Sequence, residues 1–293
     1  MKAMPWLISS LAYLVALSVT AADDPTPNPE FPPAIVELAI ESDGNRLPGH
    51  IYLANGPGPH PTVLMLHGFP GNEKNLDIAQ ELRRQGFNTL FFHYRGAWGA
   101  EGDYSILTLD DDTAAVVDYL RQPEQASALR VDPGKISLLG HSLGGYTALA
   151  AGSQIEDLRC VGAMAPANPG LWQLGMAVED DNALRLTAYA DSLFMLNNFG
   201  GAQLLEQLRG TPLQALDTRA FGPGLQNISV LFVVGEQDDV TPAQSMTLPV
   251  VEAYQKLPGF KVESHLIPGD HSFSENRLQL TGLLLKWLQR DCR

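Results

Sequence analysis

The ten residues Ile136–Gly145, Ile-Ser-Leu-Leu-Gly-His-Ser-Leu-Gly-Gly, constrain this chain more than any other stretch. A short apolar run enters a serine flanked by glycines, and small, helix-compatible residues follow from Leu143 to Ala150. The pattern Gly140-x-Ser142-x-Gly144 fits a sharp strand-to-helix turn with the serine in strained backbone. The residues two places to either side must then lack a Cβ for the turn to close. Such a turn lifts a hydroxyl clear of a sheet and sets the N–H groups of a helix start beside it.

The surrounding sequence supplies the sheet. Thr62–Leu66, Asn88–Phe92, Cys160–Ala165, Val230–Val234 and Val262–Ile267 are short apolar runs, most without polar alternation, as in parallel strands buried on both faces. Helix-like Leu76–Arg84, Leu109–Leu120 and Gly144–Ala151 lie between them. Alternating β and α elements predict an α/β domain with a mostly parallel sheet and right-handed crossovers. Ile35–Ile40 and Leu47–Leu53 flank the turn residues Ser42-Asp43-Gly44-Asn45 and read as a hairpin. The alternation breaks between about residues 168 and 227, where helical spacing and glycine breaks predict a small helical cap over the strand end that carries Ser142. Its apolar lining is expected from Trp172, Phe194, Met195 and Phe199. Asp110-Asp111-Asp112 opens a helix, where carboxylates complement the positive end of the dipole.

The first residues read as a secretory leader: Lys2, an apolar run from Trp6 to Val19, then Val19-Thr20-Ala21 as a small-residue cleavage site. The expected organisation is a signal peptide at 1–21, a proline-rich extended linker at 22–33 and one catalytic-size domain at 34–293. The location expected is secreted or periplasmic, with no stable membrane anchor once the leader is removed. A formal charge of −14 and a pI near 4.8 disfavour nucleic acid as a partner, because an acidic surface repels phosphate. Oligomeric state is not legible. Export would permit a disulfide between Cys160 and Cys292, but Cys160 sits in the apolar run Leu158–Ala163 and reads as a buried, unpaired cysteine. Two cysteines without a C-x-x-C pair give no metal signal, and no cofactor is expected.

A serine hydroxyl needs a base, and the base an orienting acid. His271, in the loop Pro268–Phe273 after the last apolar strand, is the base expected to reach Ser142. His67 and His93 follow strands and could reach the site rim, whereas His141 should diverge from its neighbour Ser142. The acid should follow Val230–Val234, where Glu236, Asp238 and Asp239 are all candidates; Pro166–Pro169, after the preceding strand, holds no carboxylate. A developing oxyanion needs donors. The N–H of Leu143 is one. The other is expected from the loop His67-Gly68-Phe69-Pro70-Gly71, at Phe69, since Pro70 has no N–H. That loop lacks the Gly-Lys-Ser/Thr ending of a phosphate-binding loop.

These motifs together resemble the α/β-hydrolase superfamily from about Ile35 to the C-terminus. His67–Gly71 is similar to the family's oxyanion loop, and Gly140–Gly144 to its elbow. Gly235-Glu236-Gln237-Asp238 with Pro242 is similar to its acid turn, which selects Asp238 over Asp239. Gly269–Phe273 resembles its histidine loop, and the order Ser…Asp…His is the family's. His93–Gly99 resembles a loop of prolyl-oligopeptidase-like and cinnamoyl-esterase-like members. The resemblance implies an eight-strand-type sheet with a cap, a catalytic Ser142–His271–Asp238 triad, and an acyl-enzyme mechanism without metal or cofactor. His67, Trp98 and Trp172 are the expected substrate contacts. The expected substrate is a small-molecule ester, since alcohols leave more readily than amines. The alternatives are a small prolyl-oligopeptidase-like peptidase or amidase and, more remotely, a non-catalytic binding protein of the same fold. A dehalogenase would want a carboxylate at position 142, and a dienelactone-type hydrolase a cysteine.

Overall fold

The structure is a computed structural model that describes residues 24–178 and 180–293. The expected leader and the first two linker residues lie outside these. Eight strands form one sheet in the order β1-β2-β4-β3-β5-β6-β7-β8: β1 (Ala34–Ser42), β2 (Asn45–Leu53), β3 (His60–Leu66), β4 (Asn88–Phe92), β5 (Val131–His141), β6 (Cys160–Met164), β7 (Ser229–Gly235) and β8 (Val262–Ile267). Strands β3 to β8 are mutually parallel, while β1 and β2 form an antiparallel hairpin that joins the sheet through β4. Asp43 and Gly44 both take positive φ, 48° and 74°, which matches the twist of a two-residue hairpin turn.

Helices cover both faces. They are α1 (Leu76–Arg84), α2 (Leu109–Arg121), α3 (Pro123–Ala128), α4 (Leu143–Gly152), α5 (Pro169–Ala177), α6 (Asp181–Asp191), α7 (Gly201–Gly210), α8 (Leu213–Leu216), α9 (Ala243–Met246), α10 (Leu248–Gln255) and α11 (Arg277–Asp291), with a 3₁₀ segment at Thr218–Leu225. One core joins α2, α4 and α10 to the sheet through Val116, Val117, Leu149 and Tyr254. The other joins α1 and α11 through Ile78, Leu82, Leu284 and Trp287. The central strands explain this double cover: β4 and β6 are buried along their whole length, so neither face tolerates water. At the edge, β8 alternates between covered and exposed residues. Helices α5 to α8 and the 3₁₀ segment all lie between β6 and β7, in the stretch that interrupts the β/α alternation.

Two readings of the sequence need correction. Cys160 is not an unpaired cysteine: it forms a disulfide with Cys292 across 132 positions, with Cα atoms 5.7 Å apart. The bond ties the start of β6 to the residue that ends α11, inside the second core. The aspartate triplet at the start of α2 is also more than a dipole effect. Asp112 is fully buried on the same helix face as Leu109 and Val116. One of its oxygens accepts from Arg95 Nε (2.8 Å) and Ser42 Oγ (2.7 Å), the other from the Arg95 backbone N–H (2.9 Å). This cluster anchors the loop that follows β4.

Candidate active site

Ser142 sits between β5 and α4 with φ 59° and ψ −123°, a conformation that costs on the order of 1–3 kcal/mol in a non-glycine residue. The surrounding backbone holds it there. Its N–H donates to Met164 O (2.9 Å), and its carbonyl accepts from Gly145 (2.9 Å) and Ala167 (3.0 Å). A Cβ on Gly140 would lie 1.8 Å from Gly144 O, and one on Gly144 would lie 2.1 Å from Leu66 O. The two glycines are therefore required by close backbone approach. The serine side chain makes no hydrogen bond to a described residue, and Ser142 lines a cavity of about 580 Å³.

The acid turn after β7 and the histidine loop after β8 meet each other through His271 and Asp238, and both reach the elbow: Thr241 lines the cavity with Ser142, and the His271 carbonyl accepts from His141. His271 Nδ1 donates to Asp238 Oδ2 at 2.9 Å. The other carboxylate oxygen accepts from the N–H groups of Val240 (2.9 Å) and Thr241 (2.8 Å). The Thr241 hydroxyl lies 2.8 Å from Asp238 Oδ2 and 3.0 Å from Ala165 O, and can donate its one proton to either. Burial alone would push the Asp238 carboxyl up; the hydrogen bond and charge of His271, with the Thr241 donors, outweigh it and hold the group below the usual carboxylate value. Asp239, by contrast, is exposed and on the cavity wall.

His141 does diverge from Ser142, and what it reaches was not legible in the sequence. Its Nε2 donates to the backbone carbonyl of His271 at 2.8 Å, and the two rings lie 4.8 Å apart. Burial, then the neighbouring His271, lowers its pKa to about 4, so the ring is neutral near pH 7. It pins the loop that carries His271 to the elbow that carries Ser142.

The loop after β3 lies against the serine: a Cβ on Gly68 would fall 2.8 Å from Ser142 Cβ. His67, expected as a substrate contact, is buried and absent from the cavity wall. Its Nδ1–H donates to Gly68 O at 2.9 Å. Across a trans peptide the carbonyl and N–H point opposite ways, so this bond directs the Phe69 N–H away from the His67 ring. That N–H makes no hydrogen bond to a described residue. Leu143, the first residue of α4, likewise has no partner within its helix for its N–H. Burial lowers the His67 pKa to about 4.

The cap supplies most of the cavity wall. Trp172 of α5 lines it with Leu171, and Leu186 and Tyr189 of α6 face them. The Phe69 ring forms another part, packed between Tyr189 (6.0 Å) and Phe199 (5.8 Å). The other expected lining residues lie elsewhere. Phe199 is in the core, Phe194 is 91% exposed, and Trp98 borders a separate shallow groove with Phe194 and Met195. Among the described residues, no group of three or more His, Cys, Asp or Glu side chains is placed to hold a metal ion.

A family model described as "Alpha/beta hydrolase family" matches residues 63–280. Esterase EstD of Thermotoga maritima is 25% identical over 221 residues, 71% of this chain and 48% of that one. The uncharacterized protein YfhR of Salmonella typhimurium is 37% identical over 91 residues, 31% of this chain and 30% of that one. The chain thus spans less than half the length of either relative. Among solved structures, Est1E from Butyrivibrio proteoclasticus superposes with a TM-score of 0.66 at 19% identity, covering 87% of this chain and 98% of that one.

Proposed function

The chain belongs to the alpha/beta hydrolase family, and on that premise we propose that it is a serine hydrolase cleaving carboxylic esters through an acyl-enzyme. The observation that carries this reading is the Asp238–His271 hydrogen bond, 2.9 Å long, on a loop that His141 ties to the elbow holding the strained Ser142, whose hydroxyl bonds to no described residue. Asp238 holds the imidazole with its proton on Nδ1, which leaves Nε2 to accept one. His271 takes the Ser142 proton as Oγ attacks the acyl carbon. The N–H groups of Phe69 and Leu143 stabilise the oxyanion. His271 then protonates the departing alcohol, and water, activated by the same ring, releases the acid. The scheme needs no metal or organic cofactor.

The cavity supports a substrate of moderate size with an apolar acyl or alkoxy group. Its volume, about 580 Å³, suits a small molecule, and Trp172, Leu186, Tyr189 and Met246 line it. The relative EstD is named an esterase, which favours an ester over an amide. The Cys160–Cys292 disulfide and the leader-like first residues both support an exported protein.

The test has two parts. Ser142→Ala should abolish stoichiometric labelling by an organophosphonate; labelling that persists would overturn the nucleophile. Purified protein should turn over p-nitrophenyl esters faster than matched anilides. The reverse order would favour the amidase alternative.

A further inference from the structure

We propose that Trp98 is a positioning residue for the oxyanion donor at Phe69, and that it links that donor to the docked position of the helical cap. The inference rests on the serine hydrolase reading. In the loop His67–Gly71 the Phe69 N–H must be aimed without a hydrogen bond to any described residue. Pro70 follows and has no N–H, so the carbonyls on either side are the handles by which this segment is held. His67 holds the first, at Gly68 O. Trp98 holds the second: its indole Nε1–H donates to Pro70 O at 2.8 Å.

Trp98 is itself fixed from three directions. Its backbone N–H donates to Met195 O of the cap segment at 2.8 Å. Its neighbours Gly96 and Ala97 meet the same segment, through Asn197 N–H on Gly96 O (2.7 Å) and a bridge to Leu196. Its ring stacks on His93 at 6.0 Å, and the Lys74 ammonium lies 5.3 Å from its centre. The residue holds φ 51°, a left-handed conformation uncommon for a bulky side chain, which persists where surroundings over-determine it. The Arg95–Asp112 cluster anchors the base of the same loop. One residue therefore joins the cap, through its backbone N–H, to the oxyanion loop, through its indole. Because Trp98 is absent from the cavity wall, its effect should fall on the transition state and spare substrate binding.

The experiment compares wild type with Trp98→Phe and with β-(3-benzothienyl)alanine at position 98, an isostere in which sulfur replaces the ring N–H. Rates are taken per active site titrated by the organophosphonate. Loss of one net hydrogen bond should lower kcat roughly threefold to tenfold, with KM moving less than about twofold. Affinity for a boronic acid, which forms a tetrahedral adduct on the serine, should fall by the same factor, while affinity for the product alcohol should hold. The isostere keeps the ring volume and so separates the donor from packing if Trp98→Phe folds poorly. Wild-type kcat in the isostere, or a loss confined to KM, overturns the proposal. That outcome is distinct from failure of the hydrolase reading, which would show as activity surviving in Ser142→Ala.

Discussion

Reducing the Cys160–Cys292 bond tests how far this fold depends on one covalent tie. The bond closes a loop with a sequence separation of 132. In the chain-entropy description, opening a loop of that size returns about 17 cal/mol/K to the unfolded chain, or about 5 kcal/mol at 25 °C. Domains are commonly stable by about 5–15 kcal/mol, so the loss would be a large share of the total. Both cysteines are buried, and replacing them with alanine would add a packing defect. The cleaner comparison is urea unfolding of the native protein with and without a phosphine reductant, with complete reduction checked by thiol alkylation in denaturant. The expected loss is about 3–5 kcal/mol. Activity at low temperature should survive, because Cys160 starts β6 and Ser142 adjoins the other end of that strand, roughly 13 Å away at strand rise. A stability loss under about 1 kcal/mol would refute the entropic argument. Free thiols in the untreated protein would refute the bond itself.

Two further outcomes follow from the site. Asp238→Asn should cut kcat by about 10³–10⁴-fold, because the imidazole loses the acceptor that sets its tautomer; Asp239→Asn, at an exposed carboxylate, should change it little, and the opposite result would move the acid by one residue. The fold should also be acid-labile: burial lowers the pKa of His67 and His141 to about 4 and, with the neighbouring His67 and Lys74, that of His93 to about 3. These rings stay neutral in the fold while the unfolded chain takes up protons below its ordinary histidine pKa. Stability is therefore full above about pH 6.5 and is lost as the pH falls from there toward 4. His67 and His141 each account for up to about 3 kcal/mol of that loss. A urea midpoint that stays constant between pH 7 and pH 5 would contradict this.

The elbow was legible because its requirements are local: where an added Cβ would fall 1.8 Å from a backbone oxygen, glycine is demanded whatever else surrounds it. The parallel strands were legible for a similar reason, since runs such as Val230–Val234 are apolar on both faces. Asp112 was within reach and missed. Leu109, Asp112, Val116 and Leu120 share one face of α2, so a carboxylate among apolar neighbours signalled a buried cationic partner. The disulfide and the cap were not legible in this way. Cysteine in an apolar strand reads alike whether paired or free, and which cap aromatics face the cavity depends on how helices pack across long sequence gaps. Trp172 lines the cavity while Phe194 faces solvent, although both sit in similar apolar surroundings in the sequence.

What the sequence concealed most completely is how the reacting groups are held, and the reason is chemical. His67 and His141 both donate from one ring nitrogen to a main-chain carbonyl, Gly68 O and His271 O. A carbonyl can only accept, so each contact specifies a tautomer, and burial keeps each ring uncharged. Any residue type can supply such a carbonyl, so its position leaves no mark in the sequence. The two imidazoles thus act as fixed, neutral struts. One orients the peptide that carries the Phe69 N–H, and the other fixes the loop that carries His271. A charged lysine or arginine in either place would place an unpaired cation inside the apolar interior. In the place of His141, which feels the charge of Asp238, it would also compete for that carboxylate, which must remain committed to His271. Neutral donors aimed at carbonyls avoid both costs, which accounts for a site in which one carboxylate, Asp238, meets one imidazole, His271, while the two other histidines bond to main-chain oxygens.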